Sequence, residues 1–288
     1  MATVDEEFAR ERRRLFGIAY RMLGSASEAE DILQDAYMRV RDTPGSELRS
    51  PGAFFTTIVT RLCIDYKRSA RARRETYVGE WLPEPIATRT DADPVQTAQL
   101  ISQAFLVVLE SLSPLARAAY LLREVFGYSY EEIASALDRD VRACRQLVSR
   151  AHREVVERRP RFAASQDDHR RLVESFAQVM QTGDVSLLEQ LLSSEVVAVS
   201  DGGGLRGIAR TPVRGRAKVA LFFTQLMKRA PETFRLEIRE VNGWPALIGY
   251  WGDQLYSVMQ LETDGHEIVS VRTTVNADKL RYVHEVAT

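Results

Sequence analysis

Residues 127–137 read GYSYEEIASAL, and residues 141–153 read VRACRQLVSRAHR. The apolar spacing predicts two short helices across a tight turn. The second helix is rich in arginine, whose planar guanidinium matches guanine O6 and N7 and phosphate oxygens. We therefore expect a helix-turn-helix that places its second helix in a DNA major groove. A solvated basic face on a structural helix is the alternative. The side chains expected to contact DNA there are Arg142, Arg145, Ser149, Arg150 and Arg153.

The composition limits where a nucleic-acid surface can lie. The 288 residues are enough for about two domains, and an apolar content of 45% allows a sizeable core. A net charge of −1 excludes a protein that is basic throughout, so a DNA-binding surface must be local. Cys63 and Cys144 are the only cysteines, which argues against a disulfide framework or a zinc site.

The chain carries no signal for a membrane or for secretion. No run approaches the ~20 apolar residues that a membrane span needs. The first residues lack the apolar core of a secretory signal. We expect a cytoplasmic protein with no membrane partner, no metal and no cofactor.

Local charge divides the chain into segments. Residues 61–74 carry six basic side chains against one acid, and residues 139–161 carry eight arginines against three acids. Residues 75–96 carry five acids against one base, and they include three prolines outside any helical periodicity, which indicates a linker. We expect all-helical domains at 5–74 and 96–161, an acidic linker at 75–95, and an α+β domain of helices and hairpin strands at 166–288.

Helix-start and helix-stop signals organise the first helical domain. Apolar spacing predicts a first helix that ends at Gly24. Ser27, with Glu30 three positions later, predicts a capping box for a helix over 28–41. A third helix, over 53–74, has an aromatic start and a basic end.

Two of these helices allow a functional interpretation. The helix at 28–41 carries Asp31, Gln34 and Asp35 off its apolar face. Periodicity favours an ordinary amphipathic helix, and the functional alternative is a protein-docking face. The helix at 53–74 fits nucleic-acid binding, because basic residues hold phosphates and aromatic rings stack on unpaired bases. A core helix with a charged end explains it equally well.

Further stretches carry a family resemblance. Residues 20–24 read YRMLG, residues 29–37 read AEDILQDAY, and residues 58–65 read IVTRLCID. Together with the helix-turn-helix, they resemble the extracytoplasmic-function sigma factors of bacterial RNA polymerase. The resemblance covers about residues 5–160. It implies an alternative-type initiation factor whose partners are core RNA polymerase and promoter DNA.

The resemblance also implies roles for particular residues. The helix with Asp31, Gln34 and Asp35 is similar to the helix that binds the polymerase clamp. The stretch at 58–65 is similar to the helix that recognises the promoter −10 element, and the helix-turn-helix is similar to the −35 reader. The residues implied to contact the −10 element are Arg61, Lys67 and Arg68.

Two departures limit what the resemblance implies about the promoter. Arg61 stands where many relatives have asparagine. Arg145-Gln146-Leu147 also differs from the commoner recognition-helix sequence. The resemblance therefore implies no promoter sequence.

The C-terminal segment resembles a second kind of module. Residues 81–85 read WLPEP, residues 201–204 read DGGG, and residues 276–280 read NADKL, with Ala277 where the related motif has proline. These motifs resemble a subgroup of sigma factors with a SnoaL-like tail, a conical α+β module with an internal cavity. The implied interdomain regulatory residues are Trp81, Leu82, Pro83, Asp201, Gly202, Gly203, Asp278 and Lys279. The expected fold class is therefore multi-domain, with two all-α sigma domains, the second a helix-turn-helix, followed by an α+β SnoaL-like cone domain.

The tail also resembles enzymes that use buried Asp and His as acid and base. Asp201, Asp253 and His266 are the candidates. Asp201 precedes three glycines and Asp253 follows Gly252, so we predict both as turn residues. His266 lies in the predicted hairpin turn at 263–266. We therefore expect no catalytic residue.

Two functions compete with a sigma factor whose C-terminal domain modulates activity in cis. One is a one-component DNA-binding regulator whose tail senses a ligand, and the other is a SnoaL-type enzyme with a DNA-binding appendage. A regulator has no need of a polymerase-docking face, so charge reversal at Asp31 or Asp35 should spare its DNA binding. The sequence leaves open a small-molecule ligand in the C-terminal domain.

Overall fold

The computed structural model describes residues 3–41, 50–74, 77–88, 102–158 and 165–284, with side chains up to residue 69 in the second range and 283 in the last. Contacts divide the chain into two compact units. Unit 1 contains residues 1–75 and 105–159, and unit 2 contains residues 76–104 and 160–288. Residues 75–76 and 89–95 of the predicted linker lie outside the described residues.

Unit 1 begins with three helices, α1 (Val4–Leu23), α2 (Ala26–Val40) and α3 (Pro51–Arg74). Each helix buries an apolar stripe at three- and four-residue spacing, which is what an amphipathic helix needs to form a core. The buried side chains of this core include Leu15, Ile18, Met22, Leu23, Ala29, Ile32, Leu33, Ala36, Phe55 and Val59.

The start of α2 differs from the predicted one. Gly24 ends α1 with a left-handed backbone (φ 73°), and Ser25 is extended. The Ser25 side chain accepts a hydrogen bond from the backbone N–H of Glu28 at 3.1 Å, so Ser25 is the N-cap. The prediction of a capping box on Ser27 is wrong, because α2 begins as soon as the glycine has turned the chain, and Ser27 is already inside the first turn.

The second helical segment contains α4 (Gln103–Leu109), α5 (Pro114–Tyr120) with a π-helical continuation (Leu121–Val125), α6 (Tyr130–Leu137) and α7 (Val141–Arg158). Ser113 caps α5 and Pro114 occupies its first turn. The buried side chains here include Leu106, Leu109, Ala118, Ala119, Leu121, Leu122, Ile133, Cys144, Val148 and Ala151.

The predicted pair of helices across a tight turn is confirmed as α6 and α7. Ser129 and Glu132 form a reciprocal capping box at the start of α6. Asp138 ends α6 in the left-handed region (φ 52°), which aspartate tolerates better than most residues. The Asp140 carboxylate accepts from the backbone N–H of Ala143 at 2.7 Å and so caps α7. Local residues therefore fix both ends of the turn, Asp138 at the end of α6 and Asp140 at the start of α7.

Unit 2 combines helices with one sheet. Its elements are α8 (Gln166–Thr182), α9 (Val185–Leu191), β1 (Leu192–Asp201), β2 (Val213–Arg214), α10 (Arg216–Arg229), β3 (Phe234–Val241), β4 (Trp244–Trp251), β5 (Gln254–Thr263), β6 (Ile268–Thr274), a 3₁₀ turn (Ala277–Lys279) and α11 (Arg281–His284). The two-residue β2 was not predicted, because it is too short to show alternation.

The strand order is β2-β1-β6-β5-β4-β3. β1 and β6 run parallel, and the other pairs are antiparallel. The β5–β6 turn confirms the predicted turn at 263–266, with the Asp264 carboxylate accepting from the backbone N–H of His266 and Glu267. Helices α8, α9 and α10 pack their apolar residues into one core with the sheet, which includes Phe176, Leu188, Val196, Val219, Phe223, Leu247, Met259 and Val271.

Within the described ranges, none of the helices combines the length and the apolar character required to cross a bilayer. The same ranges contain no group of three or more His, Cys, Asp or Glu side chains placed to hold a metal ion.

Candidate functional site

The acidic face of α2 is accessible. Asp31, Gln34 and Asp35 are exposed, while Ile32 and Leu33 between them are buried. Positions i, i+3 and i+4 share one side of a helix, so the three polar side chains form a single face. This arrangement is compatible with docking of another protein, and the role of these residues stays a prediction.

The predicted DNA-facing residues of α7 also form one surface. Arg142, Arg145, Ser149, Arg150 and Arg153 are all exposed. Together with Gln146 they line one shallow depression. The buried face of the same helix carries Cys144, Val148, Ala151 and Val155. We call this depression the α7 arginine face.

One member of the α7 arginine face is steadied by a neighbouring ring. The Arg145 guanidinium lies 5.3 Å from the ring centroid of Tyr130, at the start of α6. A cation over an aromatic face is weakly attracted to it and loses some rotamer freedom. The contact holds Arg145 near the surface that the other arginines share.

The basic residues of α3 have different surroundings, although the sequence assigns them a similar role. Arg61 donates from Nε to the carbonyl of Ala136 at 2.9 Å and from Nη2 to the carbonyl of Ser135 at 3.1 Å. Both carbonyls belong to the last turn of α6, where a helix has acceptors without intrahelical partners and a partial negative charge. Arg61 therefore acts as a C-terminal cap for the first helix of the helix-turn-helix.

Lys67 of α3 is buried and its charge is paired. Its Nζ donates to Glu110, at 3.0 Å from Oε2. Glu110 also accepts from Arg117, which is fully buried, and Arg117 Nε donates to the carbonyl of Arg21 at 2.8 Å. Arg68, by contrast, is exposed and lies 3.4 Å from Asp65 of the same helix. We call Lys67, Glu110 and Arg117 the Glu110 cluster.

The sequence reasoning did not identify Glu110 or Arg117. The available signal was an arginine inside the apolar run of α5, since a buried arginine is rarely found without a partner. Its partner could not be read from the spacing, because Glu110 lies in the turn before the helix and Lys67 lies 43 residues earlier.

In unit 2, Asp201 is the centre of a buried polar cluster. Its side chain has no exposed surface. Oδ2 accepts from Lys279 Nζ at 2.6 Å and from the backbone N–H of Leu82 at 2.8 Å. Oδ1 accepts from the Tyr77 hydroxyl and from the backbone N–H of Gly203 at 3.2 Å. A buried carboxylate needs partners of this kind, because it has lost its hydration.

The prediction that Asp201 is a turn residue is wrong. Strand β1 continues through Asp201, which is opposite Thr274 in β6, and its carbonyl accepts from the N–H groups of Val275 and Asn276. The glycines that follow make the turn, so the carboxylate itself stays in the sheet. Asp253 and His266 are in turns, as predicted, and both are exposed.

Lys279 completes the cluster from the other end of the domain. Its Nζ also donates to the carbonyl of Leu82 at 2.6 Å, and it lies 4.3 Å from the Trp81 ring centroid and 5.1 Å from that of Tyr77. Burial raises the pKa of the Tyr77 hydroxyl, and its hydrogen bond and proximity to the Asp201 carboxylate add to the increase. The hydroxyl therefore keeps its proton at neutral pH. We call Tyr77, Trp81, Leu82, Asp201 and Lys279 the linker latch.

A second set of contacts, made by backbone hydrogen bonds, joins the linker to the β3–β4 hairpin. The backbone N–H of Asn242 donates to the carbonyl of Ile86 at 2.8 Å, and that of Thr88 donates to the carbonyl of Glu240 at 2.9 Å. Pro83, which lies between the linker latch and these backbone hydrogen bonds, is buried, and its carbonyl accepts from Gln103 Nε2 at 3.0 Å. Residues 77–88 are thus held by backbone and side-chain contacts along their length.

The glycines after Asp201 are required by close contacts. Gly203 has φ +58°, and a Cβ there would lie 2.6 Å from Asn276 Nδ2. A Cβ at Gly202 would lie 2.9 Å from the Ile208 side chain. Asn276 donates to the Tyr77 hydroxyl at 3.1 Å and so supports the linker latch.

The structure brings together five of the predicted regulatory residues, Trp81, Leu82, Asp201, Gly203 and Lys279. Pro83 and Gly202 adjoin them in the chain and lie against Gln103 and Ile208. The Asp278 side chain is exposed, and its backbone N–H donates to Asn276 Oδ1 at 3.1 Å. Tyr77 and Asn276 take part without having been predicted. Asn276 begins the NADKL motif, whereas Tyr77 is an isolated aromatic residue in the linker with no local pattern around it.

Comparisons with known proteins agree with this architecture. The family model for Sigma-70 region 2 matches residues 8–73, and that for Sigma-70, region 4 matches residues 102–155. The ECF RNA polymerase sigma factor SigJ of Mycobacterium tuberculosis (strain ATCC 25618 / H37Rv) is 39% identical over 229 residues, which cover 77% of this chain and 73% of SigJ. A probable ECF RNA polymerase sigma factor, SigI, from the same strain is 28% identical over 274 residues, which cover 93% and 92% of the two chains.

A solved structure extends the likeness across the C-terminal segment. The crystal structure of the M. tuberculosis extracytoplasmic function sigma factor SigJ superposes with a TM-score of 0.74 at 30% identity, over 95% of this chain and 97% of SigJ. The predicted fold class, with two all-α sigma domains followed by an α+β domain, is confirmed. The domain boundaries and the roles of individual site residues stay predictions. The chain belongs to the extracytoplasmic function (ECF) RNA polymerase sigma factors.

Proposed function

We propose that this ECF sigma factor binds core RNA polymerase through α2, reads promoter DNA through α3 and α7, and is modulated in cis by its C-terminal domain. The exposed face of Asp31, Gln34 and Asp35 supports polymerase docking, because charged side chains on a rigid helix are suited to steering and orienting a partner. The sigma factor relatives SigJ and SigI favour the same partner.

The two DNA-reading helices have unequal access in this proposal. The α7 arginine face is exposed and suits duplex DNA at the −35 element. Arg61 and Lys67 of α3 must first leave the carbonyls of α6 and the Glu110 cluster. Binding at the −10 element is therefore coupled to separation of α3 from α6.

The linker gives the C-terminal domain a way to control that separation. Residues 77–88 belong to the segment that joins α3 to α4. Each residue that is held in the linker latch therefore shortens the length of chain that can extend between the two helical segments. Release of this stretch would add roughly 40 Å of extended chain. The observation that carries the proposal is the buried ion pair between Asp201 and Lys279, which holds Leu82 by both its backbone N–H and its carbonyl.

The cis modulation can be tested in reconstituted holoenzyme. The template is promoter DNA selected from a random library by core polymerase with the wild-type chain. We expect Asp201→Asn and Lys279→Met to raise run-off transcription several-fold, because each weakens the hold on Leu82. Asp278→Asn is the matched control, since Asp278 is exposed in the same motif. Equal transcription from all four proteins would overturn the cis modulation.

Polymerase docking has a separate test that also addresses the one-component regulator. We expect the double change Asp31→Lys and Asp35→Lys to lower affinity for core polymerase by about tenfold or more, because like charges then face the partner's site. Binding of the same variant to −35 duplex should be unchanged. Asp253→Lys, an equivalent change in an exposed turn, is the control. Retained polymerase affinity in the double variant would contradict docking through α2.

A further inference from the structure

The C-terminal domain encloses a cavity that the linker latch does not use. Its volume is about 370 Å³, within the range of small-molecule sites. It lies between α10 and the sheet, with further walls from α8 and the loop at 206–209. Apolar side chains dominate the lining, including Phe222, Phe223, Met227, Phe234 and Met259.

The lining favours binding over acid–base chemistry. Among the described residues that line the cavity, none is Asp, Glu, His, Lys or Cys. Its buried polar groups are the hydroxyls of Ser200, Ser257 and Thr273, which can orient a ligand by hydrogen bonds. Besides its arginines, the described part of the lining contains one titratable side chain, Tyr256, and burial raises the pKa of its hydroxyl, so it is not a base at neutral pH.

The cavity opening has a definite charge and a flat aromatic wall. Arg206 and Arg229 line the cavity and are exposed, so they lie where it meets solvent. Trp251 and Tyr256 also line the cavity and stack on each other, with ring centroids 3.9 Å apart and an interplanar angle of 13°. With two cations and no acid in the lining, the opening complements an anion. The interior complements an aromatic or alicyclic ring.

The walls of the cavity continue directly into the linker latch. Ser200 lines the cavity, and the next residue in β1 is the latch carboxylate Asp201. On the loop side, Ile208 lines the cavity and packs against the backbone of Gly202. A ligand that shifts β1 or this loop therefore shifts the groups that hold the linker.

We propose that this cavity binds a small aromatic carboxylate and that its occupancy is energetically coupled to the linker latch. The carboxylate lies between Arg206 and Arg229, and the ring lies among the phenylalanine and methionine side chains. Any effect of the ligand on transcription rests on the proposed cis modulation, whereas the binding and its coupling to the linker latch do not.

Binding is tested on the full chain with 1-naphthoate as probe, by isothermal titration calorimetry, with the neutral 1-naphthamide for comparison. We expect naphthoate to bind more tightly than the amide. We expect the double change Arg206→Gln and Arg229→Gln to weaken naphthoate about threefold to tenfold and the amide hardly at all, because the exposed cations act on the charge alone. Arg214→Gln, an exposed arginine outside the cavity, is the matched control and should change neither.

A second variant tests the location without touching the core. Leu226 is exposed and lines the cavity, and Leu226→Trp should narrow the opening and weaken both probes. Absence of naphthoate binding, equal affinity for acid and amide, or unchanged affinity in the arginine and Leu226 variants would each overturn the site.

The coupling is tested by the same titration on latch variants. Coupling between two sites is reciprocal, so Asp201→Asn should change naphthoate affinity about twofold to fivefold, while Asp278→Asn should not. Naphthoate affinity that is identical in both variants and wild type would overturn the coupling and leave the site in place. Failure of the transcription test with intact naphthoate binding would overturn the cis modulation alone.

Discussion

The helices α3 and α7 carry basic residues of similar predicted role in opposite environments. On α7, the five predicted DNA-contacting residues are exposed and line one depression. On α3, Arg61 donates to carbonyls of α6, and Lys67 is buried against Glu110. Arg68 is exposed, and its ion pair with Asp65, at 3.4 Å, lies within α3. A basic residue that the sequence predicts to contact DNA can therefore be engaged in contacts within the protein.

The hydrogen bonds that engage the basic residues of α3 contribute a limited free energy. A hydrogen bond from a charged donor contributes about 1.5–3 kcal/mol when buried and less at a surface. The contacts of α3 with α6 and the Glu110 cluster can thus hold unit 1 closed at rest. In our proposal, contacts with core polymerase replace them. In our proposal α7 needs no such exchange, so the −35 reader is available before the −10 reader.

The largest expected effect comes from removing the α7 arginine face. The double change Arg142→Ala and Arg145→Ala should weaken binding to −35 promoter duplex by about a hundredfold, since each arginine that reads a base or phosphate contributes about 1–3 kcal/mol. Fluorescence anisotropy at two salt concentrations measures the loss and the reduced salt dependence. Arg158→Ala is the control, because Arg158 is exposed on the same helix outside the depression. Equal losses in both proteins would mean that the depression is not the DNA site.

A smaller effect is expected from the Glu110 cluster. Glu110→Gln leaves the buried Arg117 and Lys67 without their common counter-charge. Glu110 is partly exposed, so the free energy of unfolding should fall by about 2 kcal/mol, less than for a fully buried pair. Urea denaturation followed by circular dichroism measures it. Glu131→Gln, on the exposed side of α6, is the control. A free energy within about 0.5 kcal/mol of wild type would mean that the cluster does not hold the helices together.

The burial of Lys67 can be tested by chemical modification, without any mutation. In the full chain, Lys67 should be acetylated about tenfold more slowly than the exposed Lys218, because a buried side chain that is paired with Glu110 is inaccessible to the reagent. Mass spectrometry of a time course measures the two rates in one sample. Addition of core polymerase should raise the rate at Lys67 and leave that at Lys218 unchanged. Equal rates in the free protein would show that α3 is already open.

Local patterns in the sequence were sufficient for α7 and insufficient for α3. The α7 arginine face follows from helical spacing within a dozen residues, and the helix ends follow from neighbouring caps such as Ser129 and Asp140. The partners of Arg61 and Lys67 lie 75 and 43 residues away, so no spacing rule finds them. Periodicity shows which residues face outward on an isolated helix, but it does not show which outward residues meet another helix.

The same limit explains the error at Asp201. An aspartate before three glycines has the composition of a turn. Its role depends on Lys279 and Leu82, which are 78 and 119 residues away in the chain. The resemblance to a sigma factor subgroup predicted the motifs that contain Leu82, Asp201 and Lys279. The structure adds the hydrogen bonds that join them. Tyr77 was missed because a single tyrosine in a linker has no pattern to distinguish it.

The smallest expected effect concerns Arg61 itself. Arg61→Gln removes two hydrogen bonds to the carbonyls of Ser135 and Ala136 at the end of α6. Because Arg61 is exposed and water can replace it, the free energy of unfolding should fall by only about 1 kcal/mol. Arg68→Gln should change it by less than about 0.5 kcal/mol. If the two substitutions cost the same, Arg61 does not cap α6 in solution. Arg61 and the α7 arginines would then be equally free to meet DNA.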